Sequence, residues 1–267
     1  MALEGKTALI TGSSRGIGRG IALKLAQAGA RIAINYLANK TAAQATLAQV
    51  RTAGSDGFLI QADVSQPDDI QHLFTTVQAE FGHLDIFVSN ARPEVTSFFA
   101  PPFEITLEQW DTAVDSQAKA FLVAAREAAG LMPDGGRILA ITYASGSRTG
   151  SLQPWVAMGA AKAALETLVR YYSVALAKRG ITVNAISPSW TEDSVLNSLP
   201  HEVQELLRKW HGAGWTPMGR LGRPADIGNV ALLLCSEEAG WITGQVITAD
   251  GGASLMNPEV APEIQLG

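Results

Sequence analysis

Eight residues near the start of the chain, Thr11-Gly12-Ser13-Ser14-Arg15-Gly16-Ile17-Gly18, join the apolar run Ala8-Leu9-Ile10 to a helical pattern. Three glycines where a buried strand turns into a helix leave few folds open. Glycine tolerates φ > 0 and lets main-chain N–H groups come close to a ligand. The helix N-terminus adds unpaired donors and a partial positive charge, which makes a pyrophosphate the natural guest. The spacing is Gly-x-x-x-Gly-x-Gly, distinct from the commonest dinucleotide fingerprint, Gly-x-Gly-x-x-Gly.

The alternation that starts there continues. Strand-like runs recur at residues 6–11, 31–35, 57–61, 84–89, 137–142, 181–186 and 245–249. Helical patterns fall between them at 16–28, 42–53, 68–81, 107–132, 157–178 and 225–236. Two helix starts have a local cause: Thr106-Leu107-Glu108-Gln109 fits a capping box, and Pro224 suits a first helical position. Apolar strands alternating with helices predict an α/β fold, a single-domain, doubly wound, seven-stranded and mostly parallel sheet flanked by helices. Ligands of such sheets bind outside the C-terminal strand ends.

Composition narrows the class. A chain of 267 residues with 47% hydrophobic content can bury a full core in one domain. Net charge is −5 with no long Lys/Arg run, which argues against a nucleic-acid surface. Cys235 is the only cysteine, so an internal disulfide is excluded and a reducing, cytoplasmic setting is expected. The apolar runs are too short to span a membrane, and no His/Cys/carboxylate cluster has metal-ligand spacing.

Residues 188–223 interrupt the alternation. A long excursion between a strand and the next helix is usually a lid or binding loop, and a small hydrophobic subcore is the alternative. Four of the six tryptophans fall between Trp155 and Trp215, which favours an aromatic-lined substrate pocket built from Trp155, Met158, Trp190, Trp210 and Trp215.

Taken together, several segments resemble the short-chain dehydrogenase/reductase family over essentially the whole chain. They are Thr11-Gly12-x-x-x-Gly16-Ile17-Gly18, Asp63-Val64, Ser89-Asn90-Ala91, Lys162 within Ala160-Ala161-Lys162-Ala163-Ala164, Thr182-Val183-Asn184-Ala185-Ile186-Ser187-Pro188, and Asp250-Gly251-Gly252. The resemblance implies a Rossmann domain with a nicotinamide cofactor across the C-terminal edge of the sheet. It implies a loop of Gly12, Ser14, Arg15, Gly16, Ile17 and Gly18 around the cofactor, and Asp63 and Val64 at the adenine. Asn90 and Ala91 would lie by the adenosine ribose, and Pro188 would support the nicotinamide. Hydride transfer would take place under the 188–223 lobe, and the long fourth and fifth helices imply a homodimer or homotetramer.

The phosphate form can be argued physically. An acid at the end of the second strand would bind a ribose 2′-hydroxyl and repel a 2′-phosphate. That position reads Asn35-Tyr36, while Arg15 and Lys40 lie close in sequence. A guanidinium beside the ribose suits a phosphate dianion, so NADP(H) is expected.

The catalytic motif departs from the family pattern. Tyr-x-x-x-Lys would require a tyrosine at Met158, and the enoyl-acyl-carrier-protein reductase spacing would require one at Trp155. Neither side chain is a useful acid. The family's active-site asparagine falls near Gln117, the glycine after Asn90-Ala91 is Arg92, and the one after Pro188 is Ser189. Lys162 can still bind the nicotinamide ribose and supply positive potential. Of the four tyrosines, Tyr143 follows the fifth strand, and Ser145 has the spacing of the family serine. Tyr143 and Ser145 are therefore expected to polarise the substrate oxygen, with Tyr143 as the acid. The expected function is NADPH-dependent reduction of a conjugated C=C or C=O in an apolar, acyl- or polyketide-like substrate, free or carrier-linked, as in enoyl reductases and polyketide-type ketoreductases. A cofactor-binding protein with little redox activity, and a cyclase or isomerase on the same fold, are the alternative readings.

Overall fold

A computed structural model describes residues 2–143 and 152–266. Ser145 lies outside the described residues. The sheet is built from β1 (Thr7–Ile10), β2 (Arg31–Tyr36), β3 (Gly57–Gln61), β4 (Ile86–Ser89), β5 (Arg137–Ile141), β6 (Thr182–Pro188) and β7 (Val246–Ala249). Its order is β3-β2-β1-β4-β5-β6-β7, and every pairing is parallel. The chain winds outward from β1 to β3, then returns to the other side of β1 with β4. That reversal opens a crevice at the C-terminal ends of β1 and β4, the usual ligand position in such sheets.

Helices cover both faces. One buried cluster joins Leu9, Phe87, Ile138 and Val183 to Leu73 and Phe74 of α3 (Pro67–Phe81), Phe121 of α5 (Ala120–Leu131) and Leu165 of α6 (Val156–Leu176). The other joins Ile10, Ile34, Val88 and Ile186 to Ile21 and Leu25 of α1 (Gly16–Gln27), Val50 of α2 (Lys40–Thr52) and Ile227 of α8 (Pro224–Cys235). Consecutive strand residues feed opposite clusters, as the two-residue period of a strand requires. Both faces of the inner strands are buried, so those strands read as continuous apolar runs. No described helix is long and apolar enough to cross a membrane.

The seven expected strands and the local helix starts are present. Thr106 Oγ1 accepts from the Gln109 N–H at 3.1 Å and Gln109 Oε1 accepts from the Thr106 N–H at 3.0 Å, which closes the capping box. The long helix expected at 107–132 is a correction in detail. It comprises α4 (Leu107–Val114) and α5, joined by a π-helical turn at Asp115–Lys119. A π turn inserts one residue into the helical repeat and rotates the side chains that follow it. Here it carries Gln117, which is buried against the site.

Candidate active site

The glycine turn after β1 is braced from three sides. Asn35 Oδ1 accepts from the Gly12 N–H at 3.0 Å, and Thr46 of α2 donates to the Ser14 carbonyl at 3.0 Å. Asn90 Nδ2 donates to the carbonyls of Thr11 and Gly12 at 2.9 and 3.1 Å. The backbone approaches closely: a Cβ on Gly18 would lie 2.4 Å from Asn90 Nδ2, and one on Gly16 (φ +59°) would lie 2.7 Å from the Asp193 carbonyl oxygen. Side chains are excluded from this surface. Arg15 precedes α1 in an extended conformation with no capping bond, and the first turn carries no acid. An uncapped helix N-terminus with no acid in its first turn, behind glycines that leave no room for side chains, fits a diphosphate.

Other expected cofactor residues fall differently. Asn35 is buried and spends its side chain on Gly12, Ile60 and Ala62, so it shapes the loop from below. Tyr36 is buried in the α1/α2 core. Both side chains are turned into the protein at the strand end where the sequence places the ribose. Nucleoside recognition at a strand end needs an exposed group, and both were pulled inward by packing. Asp63 and Val64 are half-buried beyond β3, and Asp63 Oδ1 accepts from the Ser65 N–H at 2.9 Å. Arg15 is exposed and meets Glu94 Oε1 at 2.7 Å across the crevice mouth. Ile17 packs on the α1 face of the sheet, and Ala91 is held to Thr11 Oγ1 at 3.0 Å.

Lys162 stands at the centre. It is buried on α6, and its Nζ donates to Gln117 Oε1 and to the Ile141 carbonyl, both at 2.5 Å. Gln117 Nε2 in turn donates to the Ala91 carbonyl at 3.2 Å. The π turn thus ties the end of β4, through Gln117, to the lysine. Burial, helped by the nearby Arg92 guanidinium and opposed by Glu166, pushes the Lys162 ammonium down to about 7. Glu166, one turn further along α6, is buried and accepts from Thr142 Oγ1 at 2.7 Å. Sequence reasoning missed Glu166 and Thr142, although the four-residue spacing from Lys162 to Glu166 on one helix face was there to be read.

Tyr143 leaves β5 half-buried, and burial together with the Glu166 carboxylate pushes its phenol up to about 12. It keeps its proton at neutral pH: a hydrogen-bond donor, but a reluctant acid. Tyr143 and Trp155 line a cavity of about 350 Å³ with Pro102, Leu152, Val156 and Gly159. Their rings are 6.1 Å apart, and Trp155 also meets Phe98 edge-on at 5.1 Å. Met158 is 2% exposed and packs among Val95, Phe98 and Ala161 without lining the cavity. Of the two positions where a tyrosine was sought, only Trp155 faces open space.

The 188–223 lobe folds back over the crevice. Pro188 ends β6 buried, and Arg19 of α1 pairs with Asp193. Thr191 bridges Gly222, whose N–H donates to the half-buried Trp190 carbonyl at 2.9 Å. Trp190, Trp210 and Trp215 do not line the Tyr143 cavity. Trp210, at the end of α7 (His201–Trp210), meets Trp215 with ring centroids 5.1 Å apart and planes tilted by 47°. Trp210 is 50% exposed, so the pair lies at the surface of the lobe and not in a buried subcore. Among the described residues there is no cluster that could hold a metal.

The family model described as enoyl-(acyl carrier protein) reductase matches residues 12–254. A hydroxynaphthalene reductase-like protein, Arp2, of Metarhizium brunneum is 36% identical over 94% of this chain and 96% of its own length. Versicolorin reductase stcU of Emericella nidulans is 34% identical over the same shares. Among solved structures, the angucycline C-6 ketoreductase LanV with bound NADP superposes with a TM-score of 0.85 at 37% identity, covering 96% of this chain and 98% of that one.

Proposed function

The chain belongs to the short-chain dehydrogenase/reductase family, a family of nicotinamide-dependent oxidoreductases, and we propose that it uses NADPH to reduce a ketone of a flat, apolar, polyketide-like substrate, with Lys162 as the proton source in place of a tyrosine. The observation that carries this reading is Lys162 itself: buried, doubly hydrogen-bonded, and brought down to about 7. A group that titrates near the working pH is the one best suited to general acid catalysis.

The residues divide the work. The glycine loop and the start of α1 would hold the diphosphate, Arg15 the 2′-phosphate, Asp63 and Val64 the adenine, and Asn90, Ala91 and Pro188 the rest of the coenzyme edge. Bound NADPH would supply the hydride. Lys162 Nζ carries the proton for the substrate oxygen, while Gln117 and the Ile141 carbonyl fix its position. Tyr143 and, by its spacing, Ser145 donate hydrogen bonds to that oxygen. Trp155 walls the pocket with an apolar surface that excludes water and strengthens each of these interactions. The lobe at 188–223 covers the crevice. Carbonyl reduction is favoured by relatives named as ketoreductases and hydroxynaphthalene reductase-like proteins. The description of the matched family model favours conjugated C=C reduction as a second reading. Product analysis of an enone separates them, since one gives the allylic alcohol and the other the saturated ketone. Exposed Leu122 on α5, with Tyr171 and Val174 on α6, offers the apolar face a homo-oligomer would bury.

Coenzyme choice is the direct test. Calorimetric titration is expected to give NADPH binding to the wild-type chain. Replacing Arg15→Ala weakens it about 10- to 100-fold, the worth of charge-assisted bonds to phosphate. NADH binding stays within about twofold, because it has no 2′-phosphate. Equal losses for both coenzymes would contradict the assignment, and no binding of either would end the reductase reading.

A further inference from the structure

Building on the reductase reading, we propose that Arg92 binds an anionic oxygen of the substrate, so that the site selects aromatic ketones bearing an acidic hydroxyl and takes them as phenolates or enolates. Arg92 grows from a fixed base. The N–H groups of Asn90 and Ala91 both donate to Thr11 Oγ1, at 2.9 and 3.0 Å, and the Ala91 carbonyl is held by Gln117. The residue that follows is therefore aimed by the same contacts that position Lys162.

Its guanidinium is underused. A guanidinium has five N–H donors in a planar fork. Among the described residues, Arg92 has one hydrogen-bond acceptor, the adjacent Pro93 carbonyl at 2.9 Å from Nη1. The residue is half-buried, and burial holds its pKa below the ordinary guanidinium value. Its charged neighbours are Lys162 and Arg15, both cations, and Glu94, which already engages Arg15 at 2.7 Å. Arg92 and Lys162 are two desolvated cations that repel each other; Glu94 engages Arg15, and Glu166 bears on Lys162 while accepting from Thr142, so the spare Arg92 donors are left for an anionic oxygen.

The chemistry of that anion follows from the surroundings. The cavity lined by Pro102, Tyr143, Leu152, Trp155 and Val156 is mostly apolar, which suits a flat hydrocarbon body. A guanidinium fork matches two oxygens side by side, as in a carbonyl flanked by an ionised hydroxyl. Arginine does not give up its proton in proteins. It stabilises the charge on oxygen, and Lys162 is left to provide the proton. The loss of tyrosine and the gain of Arg92 are on this account two halves of one change.

The test uses alizarin, a hydroxyanthraquinone whose phenolate absorbs at longer wavelength than its phenol. The full-length wild-type chain is expected to bind it with the phenolate band at a pH where the free dye is mostly protonated. Arg92→Gly weakens dye binding about 10- to 100-fold and abolishes the shift. NADPH affinity stays within about twofold, which also establishes that the variant is folded. Arg92→Gln, which keeps the bulk without the charge, gives the same result if the glycine variant misfolds. An unchanged band in both variants, no dye binding by the wild type, or a loss confined to NADPH would each overturn the proposal. The last outcome would assign Arg92 to the coenzyme diphosphate. Wild-type NADPH binding without any dye shift leaves the reductase reading standing and removes this one.

Discussion

Replacing Lys162→Met lowers the rate of ketone reduction about 10²- to 10⁴-fold, the usual worth of a positioned general acid. The substitution removes the proton carrier together with its two hydrogen bonds to Gln117 and Ile141. The chain remains folded, because methionine fills the same space without a desolvated charge, although the Gln117 Oε1 and Ile141 carbonyl acceptors lose their donor at about 1–3 kcal/mol. Stopped-flow loss of NADPH absorbance measures the rate, and thermal melting checks the fold. A variant that melts normally and reduces a hydroxylated aromatic ketone within a few-fold of wild type would rule out Lys162 as the proton source. Tyr143, held up to about 12, would then be the remaining candidate.

The second large effect runs the other way. Trp155→Tyr is expected to raise turnover by about one to two orders of magnitude, a partial recovery of general-acid assistance. Trp155 caps the start of the helix that carries Lys162 and lines the cavity, so a phenol there shares the wall with Tyr143. Seven residues are two helical turns, which keeps positions 155 and 162 on one face. Met158→Tyr gives no such gain. Met158 is 2% exposed in a closed cluster, and a larger ring there overpacks it, at about 1–3 kcal/mol. Melting temperature then falls by about 2–12 °C. Comparing the two variants decides which spacing governs this site. A rate gain from Met158→Tyr with none from Trp155→Tyr would reverse the assignment.

What could be read in the sequence was local. The glycine turn, the Thr106 capping box and the Pro224 start each depend on residues within one turn of themselves, and all three stand in the structure. Strand periodicity survived because both sheet faces are covered, so slips of a residue or two at the ends changed little. Side-chain direction was not local. Asn35 and Tyr36 lie at the strand end where a nucleoside contact was expected, yet the core took both. Trp210 and Trp215 were assigned to a pocket from aromatic content alone, which cannot say whether two rings meet a ligand or each other. Gln117 and Arg92 were visible only as departures from a pattern. Their meaning required the π turn, which no periodicity reveals, and the convergence of β4, β5 and α6 on one ammonium. The proton affinity of Lys162 is the extreme case. It follows from burial and from Arg92, 70 positions away in the chain, so a motif could mark the lysine but not its state.

The most direct test is therefore the pH dependence of single-turnover hydride transfer from NADPH to a hydroxylated aromatic ketone. The groups that bear on Lys162 are Arg92 from the β4 loop, which lowers its pKa, and Glu166 from α6, which raises it. The ammonium is the active form, so the rate should be level below about 7 and fall about tenfold per pH unit above it. A rate that stays level up to the ordinary lysine range, and breaks only where free lysine or tyrosine titrates, would contradict the account.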